Sequence, residues 1–202
     1  MRYERIERAG VALHRALQGD QVDDRLSDLP EGTGSSTLYR NFLYWYLRAG
    51  PGNALELGSA WGTTAAYMAA AVGDDHVVIT LDVSASEKIK VILAAFPNVV
   101  HVQSHSVCLN ERARKIIDMR RPFRVVFCDT SHEKSLVEEE YGKYSHMVTA
   151  DGIVAVDDIQ HNAGMEAFWR DVRESKIELN CLNITTNESL RGKPTGFGVI
   201  LP

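Results

Sequence analysis

The chain contains 202 residues, of which 45% are hydrophobic and 24% are charged. This composition is that of one folded domain with a full-sized core, and it excludes bulk disorder. The formal net charge of −5 excludes a global positive field that would attract nucleic acid.

Cysteine usage and the N-terminal segment indicate a soluble, cytoplasmic protein. Cys108, Cys128 and Cys181 cannot all pair with one another, and none lies in a CxxC motif, which favours a reduced compartment. The opening MRYERIERAG lacks the apolar run of a secretory signal. No stretch approaches the roughly 18 apolar residues of a membrane span, so no membrane partner is expected.

The first fifty residues predict two helices. One face of the first is marked by Ile6, Gly10, Leu13 and Leu17. One face of the second is marked by Leu38, Phe42, Trp45 and Tyr46. Since this pair is too small to bury its own core, we interpret 1–50 as a helical preface to a single domain, 1–202, whose α/β core spans 51–202. The aromatic group in the second helix is interpreted as core, with the wall of an acceptor pocket as the alternative: Tyr39, Phe42, Tyr44, Trp45 and Tyr46.

From Asn53 onward, short apolar runs alternate with helical patterns. Strands are predicted at 54–57, 77–81, 99–102, 124–128 and 152–156. Helices are predicted between them at 63–72, 86–96, 109–119 and 134–148. A further helix follows the fifth strand, with its apolar face at Met165, Phe168, Trp169 and Val172. This alternation requires a parallel sheet covered by helices on both faces.

The C-terminal segment breaks the alternation. Two strands, 177–184 and 197–201, are joined by only TTNESLRGKPTG, which is too short for a crossover helix and suits a hairpin. The predicted fold is therefore a Rossmann-like, doubly wound sheet of seven strands, mostly parallel with one antiparallel strand near the C-terminus.

Polar residues collect at the ends of the first two strands, where ligands bind in such sheets. Gly58 and Gly62 in ELGSAWGTT allow a sharp turn and backbone contact with a ligand, although an ordinary strand-to-helix turn is the alternative. The loop is neither GxGxxG nor a P-loop. Asp82 ends the second strand, where a carboxylate can accept hydrogen bonds from both ribose hydroxyls; a helix N-cap is the alternative.

The segments ALELGSAWGTT, VVITLDV, FRVVFCDTSH and DGIVAVDDI resemble the class I S-adenosylmethionine-dependent methyltransferases. The last two resemble the metal-dependent O-methyltransferase branch of catechol and macrolide or sugar type. This resemblance implies S-adenosylmethionine as cofactor, with Glu56 beneath the methionine portion, Asp82 on the ribose, and Gln103 and Ser104 at the adenine edge. It also implies that the remaining cofactor contacts come from Gly58, Ser59, Gly62, Thr63 and Asp129.

In that branch one Asp ends strand four and an acidic pair ends strand five, and Asp129, Asp157 and Asp158 hold those positions here. Three carboxylates suit a hard divalent cation such as Mg²⁺. Without an ion, converging carboxylates raise one another's pKa values. The alternative is that the Asp pair caps a turn and Asp129 is a solvated strand end.

His132 follows Asp129 by three residues, and the resemblance implies a histidine base at this point. An imidazole titrating near neutrality suits the removal of a hydroxyl proton. Lys134 is the rival base, because the catechol branch has a lysine nearby, and a surface histidine is the plain alternative. His161 is interpreted as loop surface, and the acidic run 138–140 as the solvated side of its helix.

The sequence therefore predicts a metal-assisted O-methyltransferase acting on a hydroxyl of a small molecule, with no nucleic acid as partner. A vicinal diol or a catechol would suit a cation that two oxygens share. A metal-independent methyltransferase, a nicotinamide-dependent oxidoreductase and a non-catalytic cofactor-binding module stay open. Relatives are commonly dimeric, but no residue pattern locates an interface, so a homodimer is an option that the sequence leaves open.

Overall fold

The computed structural model describes residues 2–27, 29, 37–175, 181–184, 189–190, 193–194 and 196–202. The helices of this part of the chain are α1 (Arg2–Gln18), α2 (Thr37–Arg48), α3 (Thr63–Val72), α4 (Ile89–Ala95), α5 (Glu111–Arg120), α6 (Lys134–Tyr144) and α7 (Ala163–Ser175). Its strands are β1 (Asn53–Leu57), β2 (Val78–Asp82), β3 (Val99–Gln103), β4 (Phe123–Cys128), β5 (Val148–Asp157), β6 (Cys181–Ile184), β7 (Ser189–Leu190), β8 (Lys193–Pro194) and β9 (Phe197–Ile200).

Seven strands form the main sheet in the order β3-β2-β1-β4-β5-β9-β6. Strands β1 to β5 pair in parallel, whereas β9 pairs antiparallel with both β5 and β6. This confirms the predicted Rossmann-like sheet, mostly parallel with one antiparallel strand near the C-terminus. The short strands β7 and β8 pair only with each other.

Both faces of the sheet are covered by helices, as the buried strands require. All six residues of β4 are buried, so its side chains alternate between two cores. Val125 and Phe127 belong to the core that includes residues of α1, α2 and α3. Val126 and Cys128 belong to the core that includes residues of α5, α6 and α7.

The N-terminal helices pack on the first of these cores. Tyr39, Phe42 and Tyr46 of α2 are buried, so interpreting these aromatic residues as core is confirmed. The predicted face of α1 is confirmed in part, because Ile6 and Leu13 pack against this core, whereas Leu17 is 62% exposed. The buried side chains of the helix are those of Ala9, Ala12 and Ala16. These small alanine side chains let α1 approach α2 closely. The prediction followed the helical spacing of the larger apolar residues instead.

The start of α4 differs from the prediction by three residues, and the boundary between α6 and β5 differs as well. The helix predicted over 134–148 ends at Tyr144, a 3₁₀ turn covers Ser145–Met147, and Val148 starts β5. Val148 aligns with Phe123 of β4, and the register then shifts before Ile153 aligns with Val125. The irregular step lies over the polar TADG segment, which has no strand period. Residues 177–180 of the predicted strand lie outside the described residues.

None of the helices in the described part of the chain is both long and apolar enough to cross a membrane.

Candidate active site

The carboxyl ends of strands β1 to β4 open onto one cavity of about 710 Å³. Four of the predicted cofactor residues line it together: Gly58, Asp82, Ser104 and Asp129. Gln103 is not among the lining residues. Its amide donates a 3.0 Å hydrogen bond to the Val83 carbonyl, so its contact with adenine stays a prediction.

Gly58 brings the ends of β1 and β4 together. Its N–H donates a 2.8 Å hydrogen bond to the Leu81 carbonyl, and its φ of +95° lies in the region that favours glycine. A Cβ on this residue would lie 1.8 Å from the Asp129 carbonyl oxygen, a distance that no side chain tolerates. The absence of a side chain therefore allows Asp129 to reach the cavity beside β1.

Asp82 is held in place before any ligand arrives. One carboxylate oxygen accepts a hydrogen bond from the Ala60 N–H at 3.0 Å, and the other accepts from the Ser84 N–H at 2.9 Å. These two bonds join the loop after β1 to the loop after β2. The carboxylate faces the cavity with further acceptor capacity, as binding a ribose requires.

A smaller recess adjoins the cavity, and both are lined by Gly58, Ala60 and Asp129. Glu56, Ser59 and Thr63 line this recess, whereas Gly62 at the start of α3 is not among its lining residues. The Glu56 carboxylate accepts a hydrogen bond from Thr80, and burial raises the pKa of Glu56 to about 8. We call this space the Glu56 recess.

His132 lies between two carboxylates at the edge of the sheet. Its Nε2 atom is 3.3 Å from a carboxylate oxygen of Asp129 and 3.3 Å from one of Asp158, although neither contact has the alignment of a hydrogen bond. Burial opposes protonation, but the two carboxylates outweigh it and raise the pKa of His132. We call His132, Asp129 and Asp158 the acid–imidazole cluster.

His161 is an exposed loop residue, as predicted, and it also lies beside this cluster. Its Nδ1 atom lies 3.4 Å from Asp158, and its ring centroid is 5.1 Å from that of His132. The residue is half-exposed, which makes it the outer member of the group.

The third predicted metal ligand, Asp157, is buried next to the cluster. Burial raises its pKa well above the usual range, and the negative charges of Asp129 and Asp158 raise it further. Among the described residues, however, no three His, Cys, Asp or Glu side chains are arranged as a group that could hold a metal ion. The structure therefore brings the carboxyl groups of Asp129, Asp157 and Asp158 close together, but it does not arrange them as a metal-binding group.

Backbone strain concentrates at this site. Of the described residues other than glycine, three have positive φ values: Ala60 at 44°, His132 at 54° and Asp158 at 56°. Such conformations are costly, and they persist where the surrounding structure holds a functional side chain in position. Two of the three belong to the acid–imidazole cluster, and the third is in the loop that Asp82 holds.

A family model described as a methyltransferase domain matches residues 55–159, slightly more than half of the chain. The chain belongs to this methyltransferase family. The matched segment runs from β1 through the end of β5, so it contains the cavity, Asp82 and the acid–imidazole cluster. No curated protein sequence matches the chain significantly.

Solved structures share the fold of this methyltransferase. The O-methyltransferase TomG of Streptomyces achromogenes, involved in tomaymycin synthesis and solved with S-adenosylmethionine, is 20% identical, with 94% of each chain covered and a TM-score of 0.65. An O-methyltransferase of Bacillus cereus, solved with S-adenosylhomocysteine, is 18% identical, covering 96% of this chain and 98% of that one at a TM-score of 0.62. An rRNA methylase of Streptococcus thermophilus is 12% identical and covers 78% of this chain and 92% of that one, at 0.58. At these identities, the likeness shows the fold alone.

The side chain of Lys134, the rival base, contacts helix α7 of the methyltransferase rather than the acid–imidazole cluster. Its Nζ atom donates a 2.5 Å hydrogen bond to Asp171 of α7 and lies 3.4 Å from Glu138. The hydrogen bond with Asp171 raises the pKa of Lys134, so the ammonium holds its proton more firmly. This placement favours His132 as the proton acceptor.

Glu140 was predicted to lie on the solvated side of α6, but it is buried behind the cavity of this methyltransferase. Its side chain is fully buried, and it accepts hydrogen bonds from Ser106 at 2.5 Å and Thr130 at 3.1 Å. Burial raises the pKa of Glu140 to about 7. Its burial could have been predicted from the helical spacing, since Val137, Glu140 and Tyr144 share the buried face of α6.

Proposed function

We propose that this methyltransferase transfers the methyl group of S-adenosylmethionine to a hydroxyl oxygen of a small molecule. The observation that carries the proposal is the position of His132, a partly buried imidazole between two carboxylates, of which Asp129 also lines the 710 Å³ cavity. The O-methyltransferases that share the fold, solved with S-adenosylmethionine or its product, support the same choice of cofactor.

The residues divide the work between binding and proton removal. When bound, S-adenosylmethionine supplies a methyl group that its sulfonium already makes electrophilic. The protein must therefore hold donor and acceptor in line, and such alignment contributes about 7–11 kcal/mol to lowering a barrier. Asp82 accepts from the ribose, and Glu56 faces the methionine end from the recess.

His132 takes the proton of the acceptor hydroxyl. The carboxylates of Asp129 and Asp158 hold the imidazole from two sides and stabilise the imidazolium that forms. The acidic lining of the cavity, which includes Asp82, Glu133 and Glu139, disfavours a phosphate backbone, so a small molecule suits the site better than nucleic acid.

A divalent cation of the Mg²⁺ type on Asp129, Asp157 and Asp158 is the finer part of the proposal. The donors fit such an ion chemically, because all are carboxylate oxygens, and the pKa of Asp157 is raised by burial and then by two neighbouring negative charges. Held there, the ion would lower the pKa of the acceptor hydroxyl and orient it.

The second candidate function is metal-independent methyl transfer. It is favoured by the position of His132 between the two carboxylates, and by the fact that no group of side chains among the described residues is arranged to bind a metal ion.

The deciding experiment follows radioactive methyl transfer from S-adenosylmethionine to catechol and to phenol, with and without excess chelator. We expect activity on catechol that chelator abolishes and Mg²⁺ restores. Asp157→Asn with Asp158→Asn should abolish turnover and Mg²⁺ binding in calorimetry while leaving S-adenosylhomocysteine binding nearly intact. Full activity in chelator would remove the metal and leave His132-driven transfer.

Cofactor binding is tested separately from turnover. Calorimetry with S-adenosylhomocysteine should show binding by the natural protein, and Asp82→Ala should weaken it substantially because the ribose loses its acceptor. Asp118→Ala, an exposed acid on α5, is the matched control and should bind normally. If the natural protein binds no S-adenosylhomocysteine, the whole proposal fails.

A further inference from the structure

The cavity and the Glu56 recess are lined almost entirely by acidic and neutral side chains. Their acidic residues are Glu56, Asp82, Asp129, Glu133 and Glu139. Among the described residues that line either space, Arg40 is the one Arg or Lys, and it lies in the recess. An anionic group that enters these spaces therefore finds a single positively charged side chain.

Arg40 is placed as a binding residue would be. It comes from α2 of the N-terminal preface, and its residue is only 8% exposed. Among the described residues its guanidinium forms no ion pair, and its Nε donates a long 3.4 Å hydrogen bond to the Thr64 hydroxyl. A buried guanidinium is costly without an anion. An anionic group of a ligand in the recess would therefore stabilise Arg40.

Neighbouring charges do not supply that anion. Arg40 is close enough to Glu56 and Asp157 to act electrostatically on both carboxyls. Neither carboxyl, however, forms an ion pair or a hydrogen bond with Arg40 in the described part of the chain, where the guanidinium donates instead to the Thr64 hydroxyl.

We propose that Arg40 binds the carboxylate of the methionine end of S-adenosylmethionine, which assigns cofactor recognition to the N-terminal preface. This inference rests on the proposed function. With the ribose at Asp82, the amino-acid end of the cofactor extends past Gly58 into the recess, where it meets Arg40 and Glu56. The guanidinium fork suits a carboxylate, and the Glu56 carboxyl suits the neighbouring ammonium group.

The test uses two ligands that differ only in this carboxylate. S-adenosylhomocysteine and its decarboxylated analogue, 5′-(3-aminopropylthio)-5′-deoxyadenosine, are titrated into the natural protein and into Arg40→Gln by calorimetry. We expect Arg40→Gln to weaken S-adenosylhomocysteine by about tenfold to a hundredfold, as the loss of a charge-assisted hydrogen bond requires. The decarboxylated analogue should bind both proteins equally, within about twofold.

The controls separate binding from folding. Arg48→Gln changes an exposed arginine near the end of the same helix and should alter neither affinity. Arg40→Lys keeps the charge without the fork, so it should retain a reduced preference for S-adenosylhomocysteine over the analogue, even where Arg40→Gln folds poorly. An equal loss for both ligands would assign Arg40 a structural role and overturn the proposal. No discrimination by the natural protein would overturn it too, whereas failure to bind either ligand would instead overturn the proposed function.

Discussion

The Ser106 hydroxyl donates a 2.5 Å hydrogen bond to the carboxylate of Glu140, and this contact links helix α6 to the loop that follows β3. The second carboxylate oxygen accepts from Thr130, in the loop after β4. Both loops line the cavity, so a single buried side chain holds two of its walls together. Glu140 thus lies behind the cavity, and we expect it to affect ligand binding through the position of these two loops.

Glu140 should make stability depend on pH in a direction opposite to that of a typical surface acid. Burial raises its pKa from 4.5 to about 7, so the folded protein keeps a proton that the unfolded chain releases. The resulting stabilisation is fully present below pH 4.5 and is lost as pH rises through 7. Urea denaturation should show the natural protein losing up to about 3 kcal/mol relative to Glu140→Gln between pH 4.5 and 8.

Comparing the natural protein with Glu140→Gln isolates the contribution of the Glu140 carboxyl, because Glu56 and Asp157 titrate in both proteins. Glu138→Gln, an exposed neighbour on α6, should follow the natural protein at every pH. A difference between the natural protein and Glu140→Gln that stays constant from pH 4.5 to 8 would contradict the assignment.

His132→Asn should separate chemistry from cofactor binding. Loss of a general base lowers turnover by about 10²- to 10⁴-fold, whereas the cavity keeps its lining because His132 is not part of it. Methyl transfer should therefore fall at least about 100-fold while the S-adenosylhomocysteine affinity in calorimetry stays within threefold. His161→Asn, the half-exposed outer neighbour, should have the smaller effect on turnover. Comparable turnover losses in the two variants would not support His132 as the base.

The strands were predictable because each is a short apolar run that must be buried in a parallel sheet. The predicted limits of β1 to β4 fall within one residue of the structure. The end of the helix over 134–148 was not predictable, since Val148 joins β5 only through a pairing with Phe123, distant in the chain.

In the site, too, the sequence predicted some residue positions, whereas others depend on tertiary contacts. Strand ends meet at one edge of a parallel sheet, so the sequence indicated that Asp82 and Asp129 would share a cavity. It did not indicate that His132 would lie between Asp129 and Asp158, because that position depends on positive φ values in two loops. Arg40 was missed because its helix gives only an apolar period, and its relation to the recess is purely tertiary.

Gly58→Ala should disrupt the site more than its size suggests. The added methyl group would lie 1.8 Å from the Asp129 carbonyl oxygen, and the residue would be strained at a φ of +95°. We expect calorimetry to show no S-adenosylhomocysteine binding and thermal melting to show a lower Tm. Gly10→Ala is the matched control, because a Cβ there meets nothing within 4 Å in helix α1. That change should stabilise the protein by about 0.5–1 kcal/mol, and equal behaviour of the two variants would contradict the close approach of β1 and β4.

Arg124 tests what a partly buried ion pair contributes to stability away from the site. Its side chain is only 1% exposed, its Nη1 donates a 2.6 Å hydrogen bond to Asp151, and Arg8 donates to the same carboxylate. Asp151→Asn leaves the buried Arg124 cation without a full counter-charge. Because the Asp151 side chain is 39% exposed and water screens the pair, denaturation should show a loss of about 1–3 kcal/mol. Arg124→Met combined with Asp151→Asn should lose less than Asp151→Asn alone, since an apolar side chain carries no unpaired charge. A double variant less stable than Asp151→Asn would show instead that Arg124 stabilises the fold mainly through its other contacts, including those with the Tyr46 carbonyl.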